Sequence, residues 1–315
     1  MTAGRDERAP REGRALAFVG FGARLQYTIL MALFRLAVSR SHYGRLARGL
    51  SWFFPKENGV LLGIDGAPPF RVALDDGYWT RFALWHTCYE PEIAQLLKAA
   101  APLVRVFCDL GANKGYWTVR AAPLFDRIIA VEAAANTFAA LEVNAGQLAN
   151  VTLHRAAIHS ESRQQLTFVN VANSHASGRL LVGGDPPDTT DMIETVETRH
   201  IDDLVPAGRP ALIKLDVEGA EVSALAGARR ALRDGAVIIY EDHGADPACA
   251  PSRYLLADAK MRIFCFEEGL ERLTSVDQIR ALKTDPYKGY NLVAARADSP
   301  LLAGIAANLD ALAKG

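Results

Sequence analysis

Four acids stand where apolar runs stop: Asp109 after VRVFC, Glu132 after RIIAV, Asp216 after ALIKL, and Glu241, followed by Asp242 and His243, after AVIIY. A carboxylate at the end of a buried run is costly unless something polar or charged meets it, so each such position asks for a partner. Asp109 also opens a spaced pattern, Asp109-Leu110-Gly111-Ala112-Asn113-Lys114-Gly115, or D-x-G-x-x-x-G. A dinucleotide site wants G-x-G-x-x-G to bring a helix amino terminus against a pyrophosphate, and a P-loop wants G-x-x-x-x-G-K-[ST]. Neither is present, and a ligand without phosphates fits the spacing better. Helix capping for Asp109 and a solvated strand end for Glu132 are each adequate alone, but much less so for two acids at consecutive strand ends.

S-adenosylmethionine has the matching chemistry. It needs glycines for close backbone approach, an acid near its amino group and sulfonium, and a second acid for its ribose hydroxyls. Asp109, Gly111, Asn113 and Gly115 supply the first two, and Glu132 supplies the last in the way the acid of a dinucleotide fold does.

These residues have to be held by particular elements. From Val104 the chain alternates apolar strands with amphipathic helices: VRVFCDL, a helix from Tyr116, RIIAVE, a helix near residues 136–148, VTLHRAAI, ALIKLDV, a helix over residues 222–233, and AVIIY. That order predicts a doubly wound α/β domain with a parallel sheet covered on both faces, and ligands in such folds bind at the carboxyl ends of the strands. MRIFCFEE and GYNLVAAR read as two further strands, and LLAGIAANLDALAKG as a closing helix. Residues 164–198 turn polar, with VGGDPPDTTD at 182–191 read as an exposed loop or flap. Upstream, GVLLGID and FRVAL read as a hairpin over 59–74, and YWTRFALWH and PEIAQLLKAA as two short helices. The predicted domains are a helical extension over 1–58 and a main domain over 59–315. The main domain comprises lead-in elements at 59–103, a cofactor-binding core at 104–295 and a helix at 298–313.

The 315 residues carry a formal net charge of −1, which gives no global basic field to gather nucleic acid. Cys88, Cys108, Cys249 and Cys265 are scattered and form no C-x-x-C pair, as expected of reduced structural thiols in the cytoplasm. The charge is uneven. Residues 1–50 hold nine arginines against three acids, a balance of +6 that leaves −7 for the rest. Arg24 interrupts the apolar run there, which falls short of a membrane span, and no small-residue cleavage site follows it. A basic amphipathic helix over 15–48 is expected instead. Packing on the main domain or in a homodimer is the simpler role for it, and peripheral attachment to the inner face of an anionic membrane the sharper one.

The segments YEPE (89–92), DLGANKGYWTV (109–119), LEVNAGQLANVTL (141–153), IDDL (201–204) and IKLDVEGAE (213–221) resemble the FkbM-type S-adenosylmethionine-dependent methyltransferases. The resemblance covers residues 89–240 and implies the class I methyltransferase (Rossmann-like) sheet with a reversed last strand, here NLVAAR. It implies methylation of a hydroxyl on a sugar, glycolipid or secondary metabolite, and it adds Glu90 to the cofactor side. RIIAVEAAANTF departs from the family by lacking the proline that often follows the second-strand acid, and residues 1–58 have no counterpart in the motifs.

Methyl transfer from a sulfonium needs positioning and desolvation, while a hydroxyl acceptor also needs a base. Asp216 is the first choice, as base, acceptor ligand or cofactor contact, with Lys214 two residues earlier on its face to keep it ionised. Glu218 follows in VEGAE. Glu221 serves there by placing negative charge in a first helical turn. Glu241, Asp242 and His243 form a second set, with His243 an alternative base. Asp216, Glu241, Asp242 and His243 could together bind a divalent ion, but no pair has tight ligand spacing, and a metal-free site ranks above it. Trp85, His86 and Tyr89 could roof the pocket, although core packing explains Trp85 equally well. A non-catalytic cofactor- or partner-binding module is the alternative, against which Asp216 and the EDH run argue. A nucleic-acid base methyltransferase expects an N-P-P-Y/F-type loop where VEGAE stands, and glycine spacing disfavours a nicotinamide dehydrogenase.

Overall fold

The computed structural model describes residues 14–37, 43–80, 89–170, 178–180, 192–217, 219–266 and 269–314. The chain divides into two compact units, Met1–Pro91 and Glu92–Gly315.

In the first unit, strand β1 (Arg14–Val19) is followed by helices α1 (Ala23–Ala37) and α2 (Tyr43–Ser51) and by strands β2 (Gly59–Gly63) and β3 (Phe70–Ala73). The strands form an antiparallel sheet in the order β1-β2-β3. The expected hairpin is present, with Gly59 opposite Ala73 and Asp65 and Gly66 at its turn in the left-handed region. The single helix expected over 15–48 is not. Gly20 and Gly22, at φ 98 and 75, end the run ALAFV as a strand before a helix can begin. Because β1 pairs with β2, the hairpin groups with the amino-terminal segment, and the units divide after Pro91 rather than after residue 58. Buried Val60, Leu62, Phe70, Val72 and Leu74 line the core beneath Ala23 and Leu30 of α1.

The second unit opens with α3 (Pro91–Ala100), β4 (Val106–Leu110), α4 (Tyr116–Ala121), β5 (Arg127–Glu132), α5 (Ala135–Ala145) and β6 (Val151–Arg155). There follow β7 (Ala157–Ile158), β8 (Gln165–Asn170), β9 (Gly178–Leu180), β10 (Met192–Arg199) and α6 (Ile201–Leu204). The rest comprises β11 (Leu212–Leu215), α7 (Glu221–Ala226), α8 (Arg229–Arg233), β12 (Val237–His243), α9 (Ala250–Ala257), β13 (Arg262–Phe266), β14 (Leu270–Leu273), α10 (Val276–Leu282), β15 (Gly289–Ala295) and α11 (Pro300–Leu312).

The main sheet runs β14-β13-β15-β12-β11-β4-β5-β6. Strands β6, β5, β4, β11 and β12 are parallel, and β15 lies antiparallel between β12 and β13. This is the doubly wound class I methyltransferase order, with NLVAAR as its reversed strand. Cys108, Leu110, Ile213, Leu215, Ile238 and Tyr240 bury one face, while Phe107, Leu212, Val237, Ile239 and Val293 bury the other. Such two-sided burial is why these strands read as unbroken apolar runs. The helix expected over 222–233 breaks at Gly227, where an added Cβ would lie 2.7 Å from the His159 carbonyl oxygen.

The polar stretch 164–198 is not all loop. Strands β8 and β10 pair antiparallel from Gln165 opposite Glu197 to Asn170 opposite Met192, in a four-stranded sheet ordered β7-β10-β8-β9. Phe168, Val196 and Thr198 are buried on one face, while Gln165, Thr167, Ile193 and Thr195 on the other are exposed and only its Val169 end is covered. The loop expected at 182–191 lies outside the described residues.

Candidate functional site

Asp109 sits on the last turn of the pleat in β4 and is fully buried. Its Oδ2 accepts from the Thr118 hydroxyl at 2.6 Å, and its Oδ1 has no hydrogen-bond partner among the described residues. Burial raises its carboxyl above the ordinary range, opposed chiefly by the positive charge of Lys214 on the adjacent strand. The chain then turns through Gly111 at φ 79, whose amide donates to the Val131 carbonyl at 2.9 Å. A Cβ at Gly111 would lie 1.7 Å from the Asp216 carbonyl oxygen, so only glycine lets the β4 and β11 ends meet. Gly115, at φ 87, faces Leu141, which an added Cβ would approach to 2.6 Å. Asn144 braces the turn by donating to the Lys114 carbonyl at 2.8 Å.

Glu132 ends β5 beside that turn. Its Oε2 accepts from the Asn113 amide at 3.0 Å and its Oε1 from the Ala134 amide at 2.9 Å. Burial raises its carboxyl to about 7, against the lowering effect of these amides. Asn113 itself adopts φ 51. Asp109, Gly111, Asn113, Gly115 and Glu132 are therefore brought together at the carboxyl ends of β4 and β5.

The neighbouring strands continue this polar edge. Lys214 lies in register with Asp109, and its Nζ is 3.0 Å from Asp216 Oδ2. The Asp216 amide donates to the Leu110 carbonyl at 2.9 Å and holds the residue to the end of β4. Glu241 is opposite Asn291, and its carboxylate packs directly on Gly289. Asn291 donates to Glu92 Oε1 at 2.9 Å, which carries the row to the first turn of α3. His243, exposed at the end of β12, accepts from the Ala245 amide at 3.1 Å through Nδ1. By strand alternation, Asp109, Lys214, Glu241, His243 and Asn291 lie on one face of the sheet.

Asp242 belongs to the other face. It is fully buried, accepts from the Ser252 hydroxyl and ion-pairs with Lys283, while Ser252 also meets the Tyr240 hydroxyl at 2.8 Å. Alternation along β12 forces this separation from Glu241 and His243, so the metal quartet that includes Asp242 is not assembled. Among the described residues no group of three His, Cys, Asp or Glu side chains could hold a metal ion. Lys283 also donates to the carbonyls of His243 and Asp246, pinning the loop after β12. Glu221, at the start of α7, accepts from the Gly219 amide at 3.1 Å, and burial raises its carboxyl.

Residues 109–263 match a family model, the methyltransferase FkbM domain. The chain carries an FkbM methyltransferase domain. The FkbM segment begins at Asp109 and ends inside β13, so it contains Glu132, Asp216, Glu241 and His243 and leaves out Glu92 and Asn291. Among solved structures the chain is similar to a precorrin-6y C5,15-methyltransferase from Geobacter metallireducens. The identity is 16% and the TM-score 0.38, over 67% of this chain and 90% of that one. It is also similar to TYW2 from M. jannaschii in complex with AdoMet, at 13% identity and a TM-score of 0.40, over 77% of this chain and 87% of that one. No curated protein matches the chain.

Sequence reasoning missed Thr118, Glu92 and Asn291. Asn291 carried a usable signal, a polar residue inside the strand run NLVAA, and Glu92 stands in the quoted YEPE. Thr118 gave none, since a threonine in a first helical turn is ordinary. Glu90 adopts φ 46 and belongs to the first unit, as does Tyr89, whose ring packs edge-on against Trp79 at 5.3 Å. Glu218, Trp85, His86 and Cys88 lie outside the described residues. Cys108, Cys249 and Cys265 are buried thiols outside any disulfide, and burial pushes the Cys108 thiol up to about 12, as suits an inert core residue.

Proposed function

We propose that the FkbM domain transfers a methyl group from S-adenosylmethionine to a hydroxyl of a sugar, glycolipid or secondary metabolite. The observation that carries the cofactor is Asp109: a buried carboxylate with one oxygen unpartnered, beside a turn that only glycine can make. An orphaned buried oxygen of this kind fits the ammonium and sulfonium charge of that ligand. Gly111, Asn113 and Gly115 would let it approach the backbone, and Glu132 would accept from its ribose hydroxyls. When bound, S-adenosylmethionine supplies an electrophilic methyl on a positively charged sulfur.

The protein then has to orient the acceptor and remove its proton. Asp216 is suited to both tasks, because it follows β11 beside Asp109 and Lys214 Nζ orients its Oδ2 from 3.0 Å. In this reading the hydroxyl proton passes to Asp216 as the new oxygen–carbon bond forms. Glu241, Asn291 and His243 extend the same row and orient the acceptor, with His243 the base if Asp216 is not. Glu90 and Glu218 stand as further candidates from the sequence.

A calorimetric titration of the full chain with S-adenosylmethionine and S-adenosylhomocysteine, with and without magnesium, tests the cofactor. Binding that is lost in Asp109→Ala is expected, and no binding to folded protein would overturn the proposal. Methyl transfer from labelled cofactor to glycan and metabolite hydroxyls tests the acceptor class. Binding without transfer to any hydroxyl would favour the non-catalytic module, and a requirement for magnesium would reinstate a metal.

A further inference from the structure

In the first unit, three aromatic side chains stand almost wholly in solvent and a leucine beside them is more than half exposed. Phe21 is 90% exposed, Leu25 59%, Trp52 89% and Phe53 84%. They lie at one end of the helical pair. Phe21 and Leu25 enter α1, Trp52 and Phe53 leave α2, and the site of a Cβ at Gly22 is 3.5 Å from the Phe54 ring that follows them. Arg24 and Arg48 flank this group, within a segment whose first 50 residues carry +6. Soluble surfaces rarely gather exposed aromatics in this way without a partner.

We propose that Phe21, Leu25, Trp52 and Phe53 insert into the interfacial layer of an anionic lipid bilayer, with Arg24 and Arg48 on the headgroups. The charge selects this occupant. A two-fold contact with a second copy would set one arginine-rich segment against another, whereas an anionic membrane complements it. Aromatic rings settle at the headgroup level, apolar body inward, and arginine stems reach back to phosphate. Among the described residues no helix is long and apolar enough to cross a membrane, so the attachment is to one leaflet.

The test is co-sedimentation of the full chain with vesicles of phosphatidylcholine alone or mixed with phosphatidylglycerol. Binding is expected only to the anionic vesicles, weakening with salt, with a blue shift of tryptophan emission that Trp52→Phe removes. Phe21→Ala/Trp52→Ala/Phe53→Ala should lower the partition at least tenfold, and Arg24→Ala and Arg48→Ala about fivefold each. All are exposed or half-buried positions, so circular dichroism should be unchanged. Equal binding to both vesicle types, or no effect of the triple aromatic variant, would overturn the proposal. So would a dimer in solution that the triple variant dissociates, since the occupant would then be a second copy.

Discussion

At the end of β5 Glu132 is held by backbone amides beside a glycine turn, whereas Asp216 after β11 and Asn291 in β15 are held by other side chains. Glu132 takes the amides of Asn113 and Ala134, and the turn beside it exists because Gly111 has no Cβ. Asp216 is held by Lys214, and Asn291 meets Glu92. Backbone donors suit a ligand of fixed shape, since they change little when side chains are exchanged. A side-chain network can be rebuilt residue by residue, which suits the half that meets an acceptor.

The seam between the two halves should be the most sensitive point. In Gly111→Ala the new Cβ would overlap the Asp216 carbonyl oxygen at 1.7 Å, and φ 79 adds about 1–2 kcal/mol of its own. Expected are loss of S-adenosylhomocysteine binding and at least ~3 kcal/mol of stability, read by calorimetry and urea unfolding. Gly219→Ala is the control, because φ there is 85 but, among the described residues beyond its chain neighbours, no atom lies within 4 Å of the added Cβ. It should lose only the backbone cost. Equal effects of the two substitutions would mean that strain alone, and not the close approach of β4 to β11, matters at Gly111.

Asp216→Asn should separate the halves functionally. Turnover on a hydroxyl acceptor should fall roughly 10²–10⁴-fold, while S-adenosylhomocysteine affinity stays within a few-fold. Full activity in this variant would move the proton to His243. A matched loss of affinity would place Asp216 on the cofactor side and blur the contrast between the two halves.

The backbone-held half was the more legible in the sequence, for a physical reason. Strands buried on both faces appear as apolar runs, their ends are marked by the acids, and left-handed turns demand glycine at fixed spacing. FCDLGANKG carries all three signals within nine residues. The side-chain half depends on register between distant segments: residue 92 meets residue 291 and residue 242 meets residue 283. No local spacing records such pairs. Asp242 misled because it adjoins Glu241 and His243 in a row of polar residues, and only its place in β12 shows that it points the other way. The strand at 14–19 was hidden by its continuity with an apolar helix, and β8 and β10 by the polar residues on their open faces.

The smallest expected effect concerns Glu132 and runs in opposite directions for stability and for binding. Burial raises this carboxyl from 4.5 to about 7, so between those values the folded protein holds a proton that the unfolded chain has released. The stability associated with that proton is complete below about 4.5 and is lost as pH rises through about 7. Ribose hydroxyls, however, donate to an ionised carboxylate, so S-adenosylhomocysteine affinity should rise over the same interval. The gain should be at most about tenfold per pH unit below 7 and should level off above it. Glu132→Gln should bind like wild type near pH 6, where both side chains are neutral, and should lack the rise toward pH 8. Asp109, also raised by burial, is the same in both proteins, so the difference between wild type and Glu132→Gln isolates Glu132. A wild-type affinity flat from about pH 6 to 8 would mean that Glu132 serves only to close the turn through Asn113 and Ala134. The contrast between the two halves would then concern folding alone.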